Sequence, residues 1–119
     1  MALVESNPFE IGTSAPAFSL LNVVTGQTDH LTELKGVNGT VIMFICNHCP
    51  FVIHVNEELI KLANDYHSKG INFIAISSND LVNYPQDGPA QMKTNALSLR
   101  YPFPYLYDET QEIAKAYNA

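Results

Sequence analysis

Apolar residues follow two different periods along this chain. Residues 41–46 (Val-Ile-Met-Phe-Ile-Cys) form an unbroken apolar run between Gly39 and Asn47, and residues 71–77 form a second run behind Gly70. Strands that are apolar on both faces belong in the middle of a parallel sheet, with helices above and below. Between the two runs, Val52, Val55, Leu59, Leu62, Ala63 and Tyr66 recur at the spacing of one helical stripe. Asn56, Glu57, Lys61, Asp65 and Ser68 take the opposite side, with Glu57 and Lys61 as a favourable i,i+4 pair. Residues 50–69 are therefore expected to form an amphipathic helix that stops at Gly70. Strand, helix and strand together read as a right-handed βαβ unit.

The flanks extend this frame. Residues 18–24 and 27–31, around a Thr25-Gly26 turn, read as a hairpin, and residues 31–36 as a helical turn stopped by Gly36. The first sixteen residues carry Pro8, Gly12 and Pro16 and are expected to run irregularly. Downstream, Asp87-Gly88-Pro89 opens a helix containing Met92, Ala96, Leu97 and Leu99, which Pro102 ends. Residues 103–107 are a short strand, with Pro104 confined to its start or to an edge. Asp108, with Gln111 three residues on, is expected to close a capping box on a last helix carrying Ile113, Ala116 and Tyr117. The expected fold class is α/β: one domain over residues 1–119, a central mixed sheet flanked by helices. Alternating elements that end on a half-apolar helix suggest a domain incomplete at its C-terminus.

Composition narrows the function classes. The chain has 119 residues, 46 % hydrophobic and 15 % charged, which suits a single globular unit. Six Lys+Arg against twelve Asp+Glu give a net charge of −6, with Arg100 the sole arginine. Nucleic acid is therefore not an expected partner, because phosphate neutralisation needs a clustered basic face. An anionic membrane surface is disfavoured for the same reason. No apolar run approaches the roughly 20 residues of a membrane span. The first residues show neither a basic start nor an apolar signal core, so a cytoplasmic location is expected. Two cysteines in that compartment are read as reactive or metal-binding before they are read as a staple.

Cys46-Asn47-His48-Cys49-Pro50 stands where the first buried strand hands over to the long helix. The first N–H groups of a helix lack intrahelical partners and the helix dipole favours negative charge there, so a thiol at that point ionises more easily. An imidazolium at His48 would act in the same direction. On this reading Cys46 attacks a disulfide as thiolate and Cys49 resolves the mixed disulfide, with no cofactor and no metal required. Two other readings stay open. Cys-x-x-Cys followed by His54 supplies part of a zinc or iron–sulfur set, and the cysteines could equally be a buried structural pair. His30 and His67 are expected at the surface, and the aromatic stretch from Tyr101 to Tyr107 reads as core packing or as a peptide-binding face. Phosphate-binding glycine loops are absent from the sequence.

The motif after a buried strand, in a βαβ frame preceded by a hairpin, resembles the thioredoxin superfamily. Ala15-Pro16-Ala17-Phe18, Leu34-Lys35-Gly36 and Ile76-Ser77-Ser78-Asn79-Asp80 resemble its AhpC/TSA, or redoxin, branch. The resemblance covers residues 9–119. It implies a thioredoxin-like fold and thiol–disulfide oxidoreductase activity with an antioxidant role. It also implies Cys46 as nucleophile, Cys49 as resolving thiol, and thiols, disulfides and an electron donor as partners. Position 45 is Ile where thioredoxins carry Trp. If Cys49 is aligned with the cysteine of a peroxiredoxin Thr-x-x-Cys site, position 46 is Cys and the peroxide-binding hydroxyl is missing. A thiol peroxidase is therefore the alternative, alongside a metal-binding or redox-sensing module. The family fold continues into a cis-Pro loop, two strands and a helix that this sequence does not include, and self-association as a homo-oligomer is expected to cover the edge left open.

Overall fold

Alternation around a tight turn produces the first two strands, β1 (Ser19–Asn22) and β2 (Thr28–His30). Gly26 at the turn has φ +77, a conformation that glycine adopts without penalty. Asn22 Oδ1 accepts the N–H groups of Val24 and Thr25, closing the turn from its own side chain. The computed structural model describes residues 10–45, 50–78 and 88–119, with the backbone alone at positions 50 and 51. Ser19 pairs with His30 across the hairpin, where Ser19 Oγ and His30 Nδ1 share a hydrogen bond of 2.5 Å.

A single helical turn, α1 (Leu31–Leu34), leads into the βαβ unit of β3 (Gly39–Phe44), α2 (Pro50–His67) and β4 (Ile71–Ser77). Gly70, at φ +78, turns the chain from helix to strand. After the second helix, α3 (Pro89–Leu99), come β5 (Tyr105–Tyr107) and the short α4 (Glu112–Ala116). Pro89 starts α3 as expected, and Arg100 ends it in the left-handed conformation. The sheet order is β2-β1-β5-β4-β3. β3 and β5 run parallel to β4, while β1 runs antiparallel to both β5 and β2. The sheet is thus mixed, and the three residues of β5, all buried, join the hairpin to the βαβ unit.

Helices cover both faces. On one side Ile45, Phe73, Ala75, Tyr105 and Tyr107 pack with Val52, Ile60 and Ala63 of α2 and with Met92 and Ala96 of α3. On the other, Phe18, Ile74, Ile76 and Leu106 pack with Leu31, Leu34, Ile113 and Tyr117. The fully apolar reading of β4 is correct: Ile74, Ala75 and Ile76 are all inaccessible to solvent.

Three expectations are corrected. β3 occupies the end of the sheet order rather than its middle, and Val41 is 38 % exposed. An apolar run reports covered faces and says nothing about lateral neighbours, and it is β4 that has both. On α2 the core-facing positions are Val52, Asn56, Ile60 and Ala63, whereas Val55 and Leu62 are each 40 % exposed and Tyr66 is exposed as well. The helix is rotated because Asn56 is buried, where its Oδ1 accepts from the Tyr101 hydroxyl at 3.1 Å. The capping box does not form either. Gln111 stands before α4 with φ 64 and makes no side-chain cap. Asp108 instead reaches past it to the Ala114 N–H.

Candidate functional site

The geometry of interest lies at the C-terminal ends of the parallel strands, where open α/β sheets place their ligands. Parallel pairing of β3 with β4 runs from Gly39↔Ile71 to Phe44↔Ile76. One residue further on, the Ile45 N–H donates to the Ile76 carbonyl at 2.9 Å. The description resumes at Pro50, the first residue of the 18-residue α2. Cys46, His48 and Cys49 lie outside the described residues. Their flanks are those the sequence reading calls for, the end of a parallel strand and the start of a long helix. Among the described residues no three His, Cys, Asp or Glu side chains gather as a metal set. His54 is exposed on α2.

Beside this junction sits a polar group that sequence reasoning missed. Ser77, the last residue of β4, is 0 % exposed, and its Oγ has no hydrogen-bond partner among the described residues. Ser78 donates its hydroxyl to Asp108 Oδ2 at 2.7 Å, and the same oxygen accepts the Ala114 N–H at 3.0 Å. Asp108 is 1 % exposed, and its own N–H donates to the Ser77 carbonyl at 2.8 Å. A carboxylate taken out of water must be held by donors of this kind. The signal for Ser77 was present: a polar residue closes a run of six residues that are otherwise apolar except for Asn72.

The neighbourhood is otherwise apolar and aromatic. The Tyr101 ring stacks on Phe103 at 4.7 Å between centroids and meets Tyr105 edge-on at 5.5 Å. Phe103, Tyr105 and Tyr107 are buried, so the aromatic stretch is core and not a binding face. An open depression of about 170 Å³, between Leu34, His67, Asn72 and Pro102, lies at the opposite end of β4. No helix of the described residues is long and apolar enough to cross a membrane.

The sequence pattern described as the AhpC/TSA family matches residues 11–119. Among solved structures, an uncharacterized conserved protein from Geobacillus kaustophilus is 60 % identical, with a TM-score of 0.97. That match covers 100 % of this chain and 63 % of the other. A hypothetical protein from Sinorhizobium meliloti 1021 is 38 % identical with a TM-score of 0.91, over 96 % of this chain and 62 % of its own. A thiol:disulfide interchange protein of the thioredoxin family from Chlorobium tepidum shares the fold, with a TM-score of 0.69 at 20 % identity over 95 % of this chain and 68 % of that one. The chain therefore spans less than two-thirds of the length of the first two. No curated protein matches the sequence.

Proposed function

The chain belongs to the AhpC/TSA family, and from that premise we propose that it is a thiol–disulfide oxidoreductase acting through Cys46 and Cys49. The observation that supports this reading is the pair of elements flanking the motif. In sequence the motif falls between a strand that ends at Phe44 and an 18-residue helix that starts at Pro50, and the positive end of a helix dipole favours a thiolate over a thiol.

The reaction is thiol–disulfide exchange. The Cys46 thiolate attacks one sulfur of a disulfide; a Cys46–substrate bond forms, the substrate S–S bond breaks, and the released sulfur leaves as a thiolate. Cys49, deprotonated, then attacks the Cys46 sulfur. The Cys46–Cys49 bond forms, the substrate sulfur departs with the electron pair, and the substrate disulfide has become a dithiol. A thiol donor returns Cys46 and Cys49 to the reduced form by the same two steps in reverse. His48, when protonated, adds to the field that favours the Cys46 thiolate. A cycle of this kind suits a reducing compartment such as the cytosol, where a thiol pool can regenerate it and where it serves an antioxidant role.

Insulin reduction with a dithiol donor tests the reading. The intact chain is expected to accelerate it, and Cys46→Ser to remove the acceleration. Saturable consumption of hydroperoxide without disulfide reduction would favour a thiol peroxidase, and stoichiometric zinc without either activity a metal module.

A further inference from the structure

Asn38 and Gly39 form a chemically labile pair at the start of β3. Of the asparagines in this chain, only Asn38 is followed by glycine. The side-chain carbonyl of an asparagine lies within reach of the next residue's backbone nitrogen, and a Cβ on that next residue hinders ring closure between them. Glycine has no Cβ and adopts the backbone angles that closure needs. Asparagine is a thermolabile residue through this chemistry.

The fold gives the Asn38 amide a specific contact. Asn38 stands exposed directly before β3. Its Nδ2 donates to the Lys69 carbonyl at 2.8 Å, and its backbone N–H donates to the Gly70 carbonyl at 2.8 Å. The carbonyls of Tyr66 and His67 are taken by the N–H groups of Lys69 and Gly70. Asn38 thus supplies a donor to the turn that ends α2, where carbonyls outnumber donors and the helix dipole is negative. Gly70 is fitted to the same contact: a Cβ there would lie 2.6 Å from Asn38 Nδ2.

We infer that Asn38 is a site of spontaneous deamidation, and that its conversion releases the end of α2 from the start of β3. The Gly39 nitrogen gives up its proton to base and attacks Asn38 Cγ. The N–Cγ bond forms, the Cγ–Nδ2 bond breaks, and ammonia leaves with a proton taken from water. Water then opens the cyclic imide at one of its two carbonyls, giving aspartate or isoaspartate. The net change is one water in and one ammonia out. β3 ends the sheet order, so its first residues open locally at less cost than the sheet as a whole.

Both products fail at the contact. Aspartate has no donor for the Lys69 carbonyl, and its charge lies against two carbonyl oxygens at the negative end of α2. The Lys69 ammonium stands 4.7 Å over the Tyr66 ring. Isoaspartate adds a methylene to the main chain. That atom falls between the Asn38–Gly70 hydrogen bond and the Gly39↔Ile71 pair, the first of the β3–β4 ladder.

The native chain is held in mildly alkaline buffer, digested and sequenced by mass spectrometry over time. The amide-to-acid mass gain is expected at Asn38, with isoaspartate among the products. Gly39→Ala is expected to slow the conversion about tenfold. Its added Cβ meets only the Ile71 side chain at 3.8 Å, an ordinary contact, so the fold is kept. The urea midpoint of the native chain is expected to fall as conversion proceeds. Asn38→Asp is expected to lower the folding equilibrium constant about tenfold; if it does not fold, the native time course still reads the effect. No mass gain at Asn38 overturns the site, and equal rates in the native chain and Gly39→Ala overturn the imide route. Full conversion at an unmoved urea midpoint overturns the release of α2.

Discussion

The backbone N–H of Asp108 donates to the carbonyl of Ser77 across 2.8 Å, fastening the end of β5 to the end of β4. The Asp108 carboxylate then binds Ser78 and the first turn of α4 through a single oxygen, Oδ2. One buried side chain therefore links a strand end, a loop and a helix on the face opposite α2.

Asp108→Asn keeps the shape and replaces one acceptor oxygen by a donor. Either Ser78 and Ala114 both lose their shared acceptor, or the oxygen stays with them and an amide N–H is buried unpaired, and the expected cost is about 2 kcal/mol. Urea unfolding followed by circular dichroism, suited to a chain without Trp, should show a lower midpoint at unchanged slope. An unmoved midpoint would refute the linking role.

Gly36→Ala is expected to be more damaging. A Cβ at this position would overlap the carbonyl oxygens of Gly39 and Gly70 and the amide nitrogen of Asn72, all of them backbone atoms that cannot swing away. The expected loss is about 3 kcal/mol, at the upper end for overpacking. By contrast, nothing lies within 4 Å of a Cβ at Gly12 or Gly26, where the positive φ is the obstacle. A thermal melt of Gly36→Ala within a degree or two of the native chain would contradict the close approach.

Tyr117 gives the fold a dependence on alkaline pH. Burial raises its phenol above the ordinary 10.0, and its hydroxyl donates to the Pro16 carbonyl at 2.5 Å. The folded chain therefore holds this proton more tightly than the unfolded chain does. The stabilisation is complete below pH 10 and fades as pH climbs through the raised folded value. Tyr117→Phe is expected to cost about 1 kcal/mol at neutral pH and to narrow its gap to the native chain at high pH. Urea midpoints for both chains at about pH 8 and about pH 11 check this, and a constant gap would refute it.

The parts of the fold that were legible in sequence are those set by local chemistry. The unbroken run of β4, the Gly70 stop and Pro89 at the start of α3 each act within a few residues, and each is found where expected. What escaped depended on partners distant in sequence. Asn56 reads as a surface residue until Tyr101, 45 positions later, supplies its hydrogen bond. β3 reads as a central strand because its faces are apolar, and its place at the end of the order is decided by which strands lie beside it. At the motif the flanking elements were legible from the strand and helix patterns, whereas the complete burial of Ser77, the polar residue that closes the β4 run, emerges only once the sheet and its covering helices are assembled.

The position of β5 has a consequence for assembly. The hairpin at residues 19–30 and the βαβ unit at residues 39–77 lie side by side along the chain, yet in the order of the sheet they are joined through residues 105–107. As the polypeptide leaves the ribosome, both halves must wait, each with an unpaired border, until more than a hundred residues have been made. Such late, non-local closure slows folding and lengthens the interval in which uncovered strands can find the wrong neighbour. The vulnerable moment of this protein therefore comes just before its keystone strand arrives.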